Sequence, residues 1–174
     1  MNGEVLSIVV FLALFGFGIY EMYRGVKQLM EHNKNRKEYM ENHNKPYDFF
    51  EEYKLWFTIY SGVAVFSIGA CIYQAVNYQD WMYAMGFLVL AACCVSFAMD
   101  CLVKRRAWFY EEGFFYEKKF YRYRSVARVS KTTGFKPGYD VNFMKDPSMI
   151  VTKKMAFEIQ KRMEAYKANK KKGK

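Results

Sequence analysis

The chain has 174 residues and a formal net charge of +10, and 52% of its residues are hydrophobic. Its mean hydropathy is nevertheless only -0.22, because strongly apolar segments alternate with segments dense in Lys, Arg and Glu. The sequence contains no phosphate-binding glycine loop, zinc-protease motif or nucleophile elbow. We therefore expect a membrane protein that is not an enzyme and holds no cofactor.

Three apolar runs, at 5–20, 55–76 and 82–103, are long enough, or nearly so, to cross a hydrocarbon core roughly 30 Å thick. The first lacks a basic leading region and a small-residue cleavage site, which predicts an uncleaved anchor. Basic residues follow the first and third runs, whereas the turn 77–81 has none. This charge distribution predicts a multi-pass protein of the inner (plasma) membrane, with the N-terminus outside and the C-terminus in the cytoplasm.

We expect the polar and small residues inside these runs to serve helix packing rather than to form an ion, metal or disulfide site. Asp100 lies about one helical turn from Lys104, so we interpret it as an interfacial carboxylate rather than an ion site. The cysteines lack metal-ligand spacing and are expected to pack as apolar residues without disulfides: Cys71, Cys93, Cys94 and Cys101. Four glycines permit close helix approach, within the chain or between copies: Gly16, Gly18, Gly62 and Gly69.

The connector 24–54 is predicted to continue the first helix, because helix formers fill 24–43. A solvated charged loop over 31–45 is the alternative. Asp48 and Glu51 have the spacing of a capping box, so the second helix is expected to begin near Phe49. His32 and His43 have no cysteine near them, and we expect no metal site there.

The segment 104–174 holds 20 basic and 7 acidic residues and changes to short aromatic runs. These predict a hairpin at 108–116, a long strand over 120–130, and strands at 139–144 and 149–151. Thr152 is placed to cap a last helix that runs to about Ala168. Its apolar stripe comprises Ala156, Ile159, Met163 and Tyr166.

The expected fold class is therefore three transmembrane α-helices plus a small α+β C-terminal domain. In that domain an antiparallel sheet is followed by an amphipathic helix. The predicted domains are 1–106, including the connector, and 107–174.

Two motifs in this domain resemble those of small bacterial membrane proteins with a cytoplasmic PH-like domain. They are the turn Glu112-Gly113-Phe114-Phe115 and the step Tyr123-Arg124-Ser125-Val126. The resemblance covers about 107–170, where the sequence itself predicts fewer strands than the seven of that fold. It implies a membrane-proximal binding or scaffolding role and no catalytic residues.

Basic side chains are the candidate site of this domain. Alternation along the long strand places Arg122, Arg124 and Arg128 on one face, and Lys118 and Lys119 lie in the preceding turn. These residues form either a surface for phospholipid headgroups or an acidic partner, or a solvated face that keeps the sheet soluble.

We expect a protein that binds membrane lipids, including anionic ones, or a membrane-protein partner or second copy, and no nucleic acid. The alternatives are an accessory subunit of a transport or secretion complex and an oligomeric pore.

Overall fold

A computed structural model describes residues 3–79, 81–132 and 138–172. The chain divides into two compact units, which are described separately. The helical unit contains Met1–Glu31 and Tyr53–Leu102, and the sheet unit contains His32–Glu52 and Val103–Lys174. The boundary thus differs from the division expected at 106/107, because the second half of the connector belongs with the C-terminal segment.

Three long helices supply the apolar part of the chain. They are α1 (Gly3–Asn42), α2 (Lys54–Tyr73) and α3 (Trp81–Lys104), and a π-helical turn at Gln74–Tyr78 follows α2. By length and composition, three helices in the described residues are apolar enough to cross a membrane. This agrees with the three expected apolar spans. Residues of α1 up to Glu31 belong to the helical unit, and the remainder belongs to the sheet unit.

Helices α1 and α3 approach each other closely at two glycines. A Cβ atom on Gly18 would lie 3.6 Å from a side-chain carbon of Val89, and one on Gly25 would lie 3.0 Å from Ser96 Oγ. Glycine permits this packing because it has no side chain to separate the two backbones. The other three glycines expected at close contacts have no heavy atom within 4 Å of the equivalent position: Gly16, Gly62 and Gly69.

A polar cluster lies beside this crossing. The Glu21 carboxylate is buried, accepts a hydrogen bond from Ser96 Oγ at 3.4 Å and pairs with Arg24 at 2.8 Å. The ion pair and hydrogen bond offset part of the cost of burying a charge. All four cysteines are free thiols, and Cys94 and Cys101 are buried.

The sheet unit contains two antiparallel sheets and a C-terminal helix. The first sheet has the order β1-β2-β3-β4, the second has the order β5-β6-β7, and α4 follows the last strand. The strands are β1 (Asp48–Glu51), β2 (Arg106–Phe109), β3 (Gly113–Tyr116), β4 (Lys119–Arg122), β5 (Val126–Lys131), β6 (Tyr139–Phe143) and β7 (Met149–Val151), and α4 is Lys153–Lys172.

The first strand corrects the interpretation of the connector. Residues 48–51 pair with β2, with Asp48 opposite Phe109 and Glu51 opposite Arg106, so they do not begin a helix. Helix α2 begins at Lys54 and has no side-chain cap. The capping-box prediction is wrong because strand pairing to a distant segment overrides a local spacing that also fits a helix start. The helices α2 and α3 therefore lie in sequence between two paired strands.

The prediction of one long strand over 120–130 is also wrong. A 3₁₀ turn at Tyr123–Ser125 interrupts it, and β4 and β5 belong to different sheets. Ser125 Oγ donates a hydrogen bond to the Arg122 carbonyl at 2.7 Å, which stabilises the turn. Arg122, Arg124 and Arg128 therefore do not share one face of one strand. The count of seven strands in the described residues also exceeds the number predicted.

Aromatic side chains connect the two sheets with α4. Tyr121 of β4 stacks on Phe143 of β6, with 4.6 Å between the ring centroids. Offset aromatic stacking of this kind adds to the free energy gained by burying the rings. The apolar stripe predicted on α4 is confirmed: Ala156, Ile159 and Met163 are buried, and Tyr166 packs against the same cluster.

The C-terminal part of α1 covers the other face of the first sheet. His32 is fully buried, its ring lies 5.4 Å from that of Trp108, and its Nδ1 bonds the Glu117 carbonyl. Tyr39 packs against Phe115 in the same way. The predicted continuation of the first helix is thus confirmed, and the alternative of a solvated loop over 31–45 is wrong. Because both faces of β3 are covered, all four of its residues are buried.

Candidate ligand-binding groove

A groove of about 670 Å³ opens on the sheet unit, and we call it the basic groove. Its walls come from the end of α1, from the segment that follows α1, from β4 and the 3₁₀ turn after it, and from the turns after β2 and β6. The lining residues are Tyr39, His43, Lys45, Tyr110, Glu112, Phe120, Tyr121, Arg122, Arg124, Ser125, Met144, Lys145 and Asp146.

The close pairing of β3 with β4 positions the arginines of the groove. Gly113 lies opposite Arg122, and a Cβ atom there would lie only 2.1 Å from the Tyr121 carbonyl oxygen and 2.9 Å from Arg122 Cα. Only glycine permits the two backbones to come this close. The 3₁₀ turn then buries Tyr123 and leaves Arg122 and Arg124 exposed on either side of it.

Stacked rings form one wall of the groove. His43 stacks on Tyr39 at a centroid distance of 4.4 Å, and Tyr39 stacks on Phe120 at 4.7 Å. Tyr110 meets Tyr39 edge-on at 5.4 Å. Burial raises the pKa of the Tyr110 and Tyr121 phenols, so both remain neutral at physiological pH. The wall therefore offers flat apolar faces and neutral hydroxyl groups.

The charges of the groove leave an excess of cations. Glu112 pairs with Lys45 at 3.2 Å, and Asp146 pairs with Lys119 at 2.7 Å. The hydrogen bond to Asp146 also raises the pKa of Lys119. Three further cations, Arg122, Arg124 and Lys145, have no ion-pair partner among the residues that the structure describes. An anionic ligand would complement these three charges.

The five basic residues singled out in the sequence are distributed differently. Arg122 and Arg124 line the groove, and Lys119 lies at its edge through the ion pair with Asp146. Lys118 is in the turn between β3 and β4, where its carbonyl accepts a hydrogen bond from Asn35. Arg128 is exposed on β5 and does not line the groove.

Sequence reasoning did not assign the other lining residues to a site, among them Tyr39, His43, Lys45, Met144 and Lys145. These five come from the end of α1, from the segment that follows it and from the turn between β6 and β7, and only tertiary packing brings them to the arginines. The connector's basic and aromatic residues gave a weak signal, since the same composition fits a solvated helix face.

The lining side chains supply positive charge, hydrogen-bond donors and aromatic faces, which are means of binding a ligand. Among the described residues, no group of three or more His, Cys, Asp or Glu side chains is arranged to hold a metal ion. Comparison of the chain with protein-family models, with curated proteins and with solved structures finds no match.

Proposed function

We propose that this chain is a non-enzymatic, three-span protein of the inner plasma membrane that displays a PH-like domain in the cytoplasm. The domain binds an anionic ligand in the basic groove, either a lipid of the inner leaflet or an acidic surface of a membrane-protein partner. The observation that carries the proposal is the set of three cations without ion-pair partners in the described part of the chain, Arg122, Arg124 and Lys145, beside a wall of stacked rings.

The strand order supports a PH-like domain. A four-stranded and a three-stranded antiparallel sheet, followed by one C-terminal helix, match the seven strands and closing helix that the resemblance implies. The sheet unit departs from a continuous domain in one respect. Its first strand precedes α2, so that a helical hairpin is inserted between β1 and β2.

The charge distribution and the strand pairing support an orientation in which the sheet unit lies on the cytoplasmic side of the membrane. Arg24 and Lys27 follow the first apolar run, and Lys104, Arg105 and Arg106 follow the third, as the positive-inside rule requires of cytoplasmic flanks. Because β1 and β2 are hydrogen-bonded neighbours, the chain must leave β1 and return to β2 on one side of a membrane. A hairpin of two spans, α2 and α3, satisfies this requirement.

The arrangement of charges favours binding over a purely solubilising role. A solvated basic face does not require its cations to lie beside aromatic rings. Here the two acidic residues that line the groove are already paired with lysines, and the cations that remain flank the aromatic wall. An anion in the groove would therefore meet exposed cations and aromatic faces together.

The test uses the full chain in nanodiscs of zwitterionic lipid. Phosphatidylglycerol vesicles and a fluorescent glutamate-rich peptide are offered separately to wild type, to Arg122→Ala/Arg124→Ala/Lys145→Ala and to a control. The control, Arg128→Ala/Lys131→Ala/Lys161→Ala, removes the same charge from exposed positions outside the groove. We expect the groove variant to lose binding of at least one probe and the control to retain it.

Equal loss in both variants would instead indicate non-specific charge attraction and contradict the proposal. So would an absence of binding to wild type.

A second candidate, an accessory subunit of a transport or secretion complex, is favoured by a different observation. Gly62 and Gly69 lie seven positions apart on α2, and at neither would an added Cβ atom meet a heavy atom within 4 Å. Small residues on an unoccupied helix face permit a further helix to pack closely. Purification in mild detergent tests this candidate, since recovery of the 20.7 kDa chain alone would count against it.

A further inference from the structure

We infer that the occupant of the basic groove is an acidic segment of a partner protein rather than the headgroups of the protein's own membrane. The inference rests on the proposed function and names the class of ligand for the same site. Three observations carry it: the position of the groove within the sheet unit, the side chains that line it, and the pairing of its acidic residues.

The first observation concerns the two ends of the first sheet. At one end Glu51 pairs with Arg106, and from these residues the chain continues into α2 and α3. The groove residues Tyr110 and Glu112 follow the opposite end of β2. The groove therefore opens at the end of the first sheet opposite to the one from which the chain continues into α2 and α3.

The second observation is the chemical character of the lining. Tyrosine, arginine and methionine are enriched at protein interfaces, and tyrosine and arginine supply most of the residues that dominate binding energy. The groove contains Tyr39, Tyr110 and the two arginines, and Met144 at its rim is 72% exposed. An exposed, flexible methionine beside rigid rings suits an apolar side chain of a peptide.

The third observation is the pattern of charge. Guanidinium groups bind carboxylates through two parallel hydrogen bonds, and Arg122 and Arg124 are both available for this geometry. Lys145 supplies a third charge from another turn. Because Lys45 and Lys119 neutralise Glu112 and Asp146, these carboxylates do not repel an acidic ligand. The expected segment therefore carries several Asp or Glu residues and at least one apolar side chain.

The experiment measures fluorescence anisotropy with the full chain in zwitterionic nanodiscs. The probes are labelled peptides of about twelve residues that share a Gly/Ser/Leu background and differ in carrying no glutamate, a few, or about half glutamate. We expect affinity to rise with the number of glutamates and to fall with salt.

The variant Arg122→Ala/Arg124→Ala/Lys145→Ala should weaken binding of the most acidic peptide at least about tenfold. Met144→Ala should weaken it about threefold without a change of charge. The control Arg128→Ala/Lys131→Ala/Lys161→Ala should remain within about twofold of wild type.

Phosphatidylglycerol vesicles are the alternative ligand. Their binding distinguishes failure of this inference from failure of the proposed function. If vesicles bind through the three groove cations and the acidic peptides do not, the inference is overturned while the proposed function stands. If neither probe depends on these cations, both are overturned. Glutamate-dependent peptide binding that requires the groove cations and Met144 supports the inference.

Discussion

Thr152 donates its hydroxyl proton to Glu52 Oε2 at 2.5 Å, across 100 positions of sequence. Glu52 directly follows β1, and Thr152 directly precedes α4. The same hydroxyl accepts a hydrogen bond from the Met155 amide at 3.3 Å, as an N-cap residue does. One side chain therefore both begins α4 and joins the last part of the sheet unit to its first strand.

Replacement of Thr152 by valine keeps the shape of the side chain and removes its hydroxyl. We expect the free energy of unfolding to fall by about 1–2 kcal/mol, because a helix cap and a hydrogen bond to a carboxylate are both lost. Thermal unfolding of the full chain in detergent, followed by circular dichroism, provides the measurement. Thr152→Ser retains the hydroxyl and should remain close to wild type, and an equal loss in both variants would contradict the role of the hydroxyl.

The sheet unit should fold without the helical hairpin if both of its segments are present. A chain that joins 32–52 to 103–172 through a short Gly/Ser linker keeps all seven strands, and the Glu52 amide already bonds the Arg105 carbonyl at 3.0 Å. We expect a soluble, cooperatively folded protein by circular dichroism and gel filtration. The segment 107–174 alone lacks β1 and the covering part of α1, so it should remain unfolded or aggregate. Cooperative folding of 107–174 would contradict this prediction.

Gly113→Ala should destabilise the sheet unit and reduce binding in the groove. The added methyl group would meet the Tyr121 carbonyl oxygen, which belongs to the backbone and has little room to move. We expect a loss of about 1–3 kcal/mol in unfolding free energy, together with weaker anion binding, since Arg122 is the residue opposite. Gly62→Ala, at a position with open space, is the matched control. Equal stability of the two variants would disprove the close approach.

Because the phenol of Tyr123 is buried, we expect the folded protein to lose stability in alkali. Burial raises the pKa of this phenol, and its hydroxyl has no hydrogen-bond partner in the described part of the chain. The folded state therefore retains a proton that the unfolded state releases above about pH 10, so stability falls as pH rises through that value. Tyr123→Phe should leave stability near pH 8 almost unchanged and should lessen the fall at about pH 11. A variant that loses as much stability as wild type would contradict the assignment.

The crossing of α1 and α3 can be tested with a pair of glycines on one helix. Gly25→Leu would force Ser96 and Met99 away from α1, whereas Gly16→Leu adds a side chain into open space. We expect only Gly25→Leu to lower the thermal stability in detergent, by about 1–3 kcal/mol. A similar effect of both substitutions would argue against packing at Gly25.

Local patterns predicted the elements whose signals are contained in a few residues. The Thr152 cap, the apolar stripe of α4 and the hairpin around Gly113 are of this kind. Strand β1 was not predicted, because its partner β2 lies beyond two long helices and the spacing of Asp48 and Glu51 also fits a helix start. The break after Arg122 was missed because buried Tyr121 and Tyr123 continue the alternation of a strand through the 3₁₀ turn.

The basic groove could be predicted from the sequence only in part, for the same reason. Arg122 and Arg124 were identified from their own strand, but the ring of Tyr39 and the charge of Lys145 reach the groove from elements distant in sequence. Arg128 carries the same charge as these two arginines but lies outside the groove. Composition alone cannot distinguish the two cases, because exposed basic residues are common on any cytoplasmic surface.

The pairing of β1 with β2 has a consequence for biosynthesis. The ribosome completes β1 well before it reaches β2, and under the proposed function α2 and α3 enter the membrane in the interval. If only one of these helices were threaded, the two strands would emerge in different compartments and could never meet. A wrongly inserted chain could then not form the β1–β2 pair. Its unpaired strand edges would be exposed to chaperones and proteases, so that only correctly inserted chains would persist.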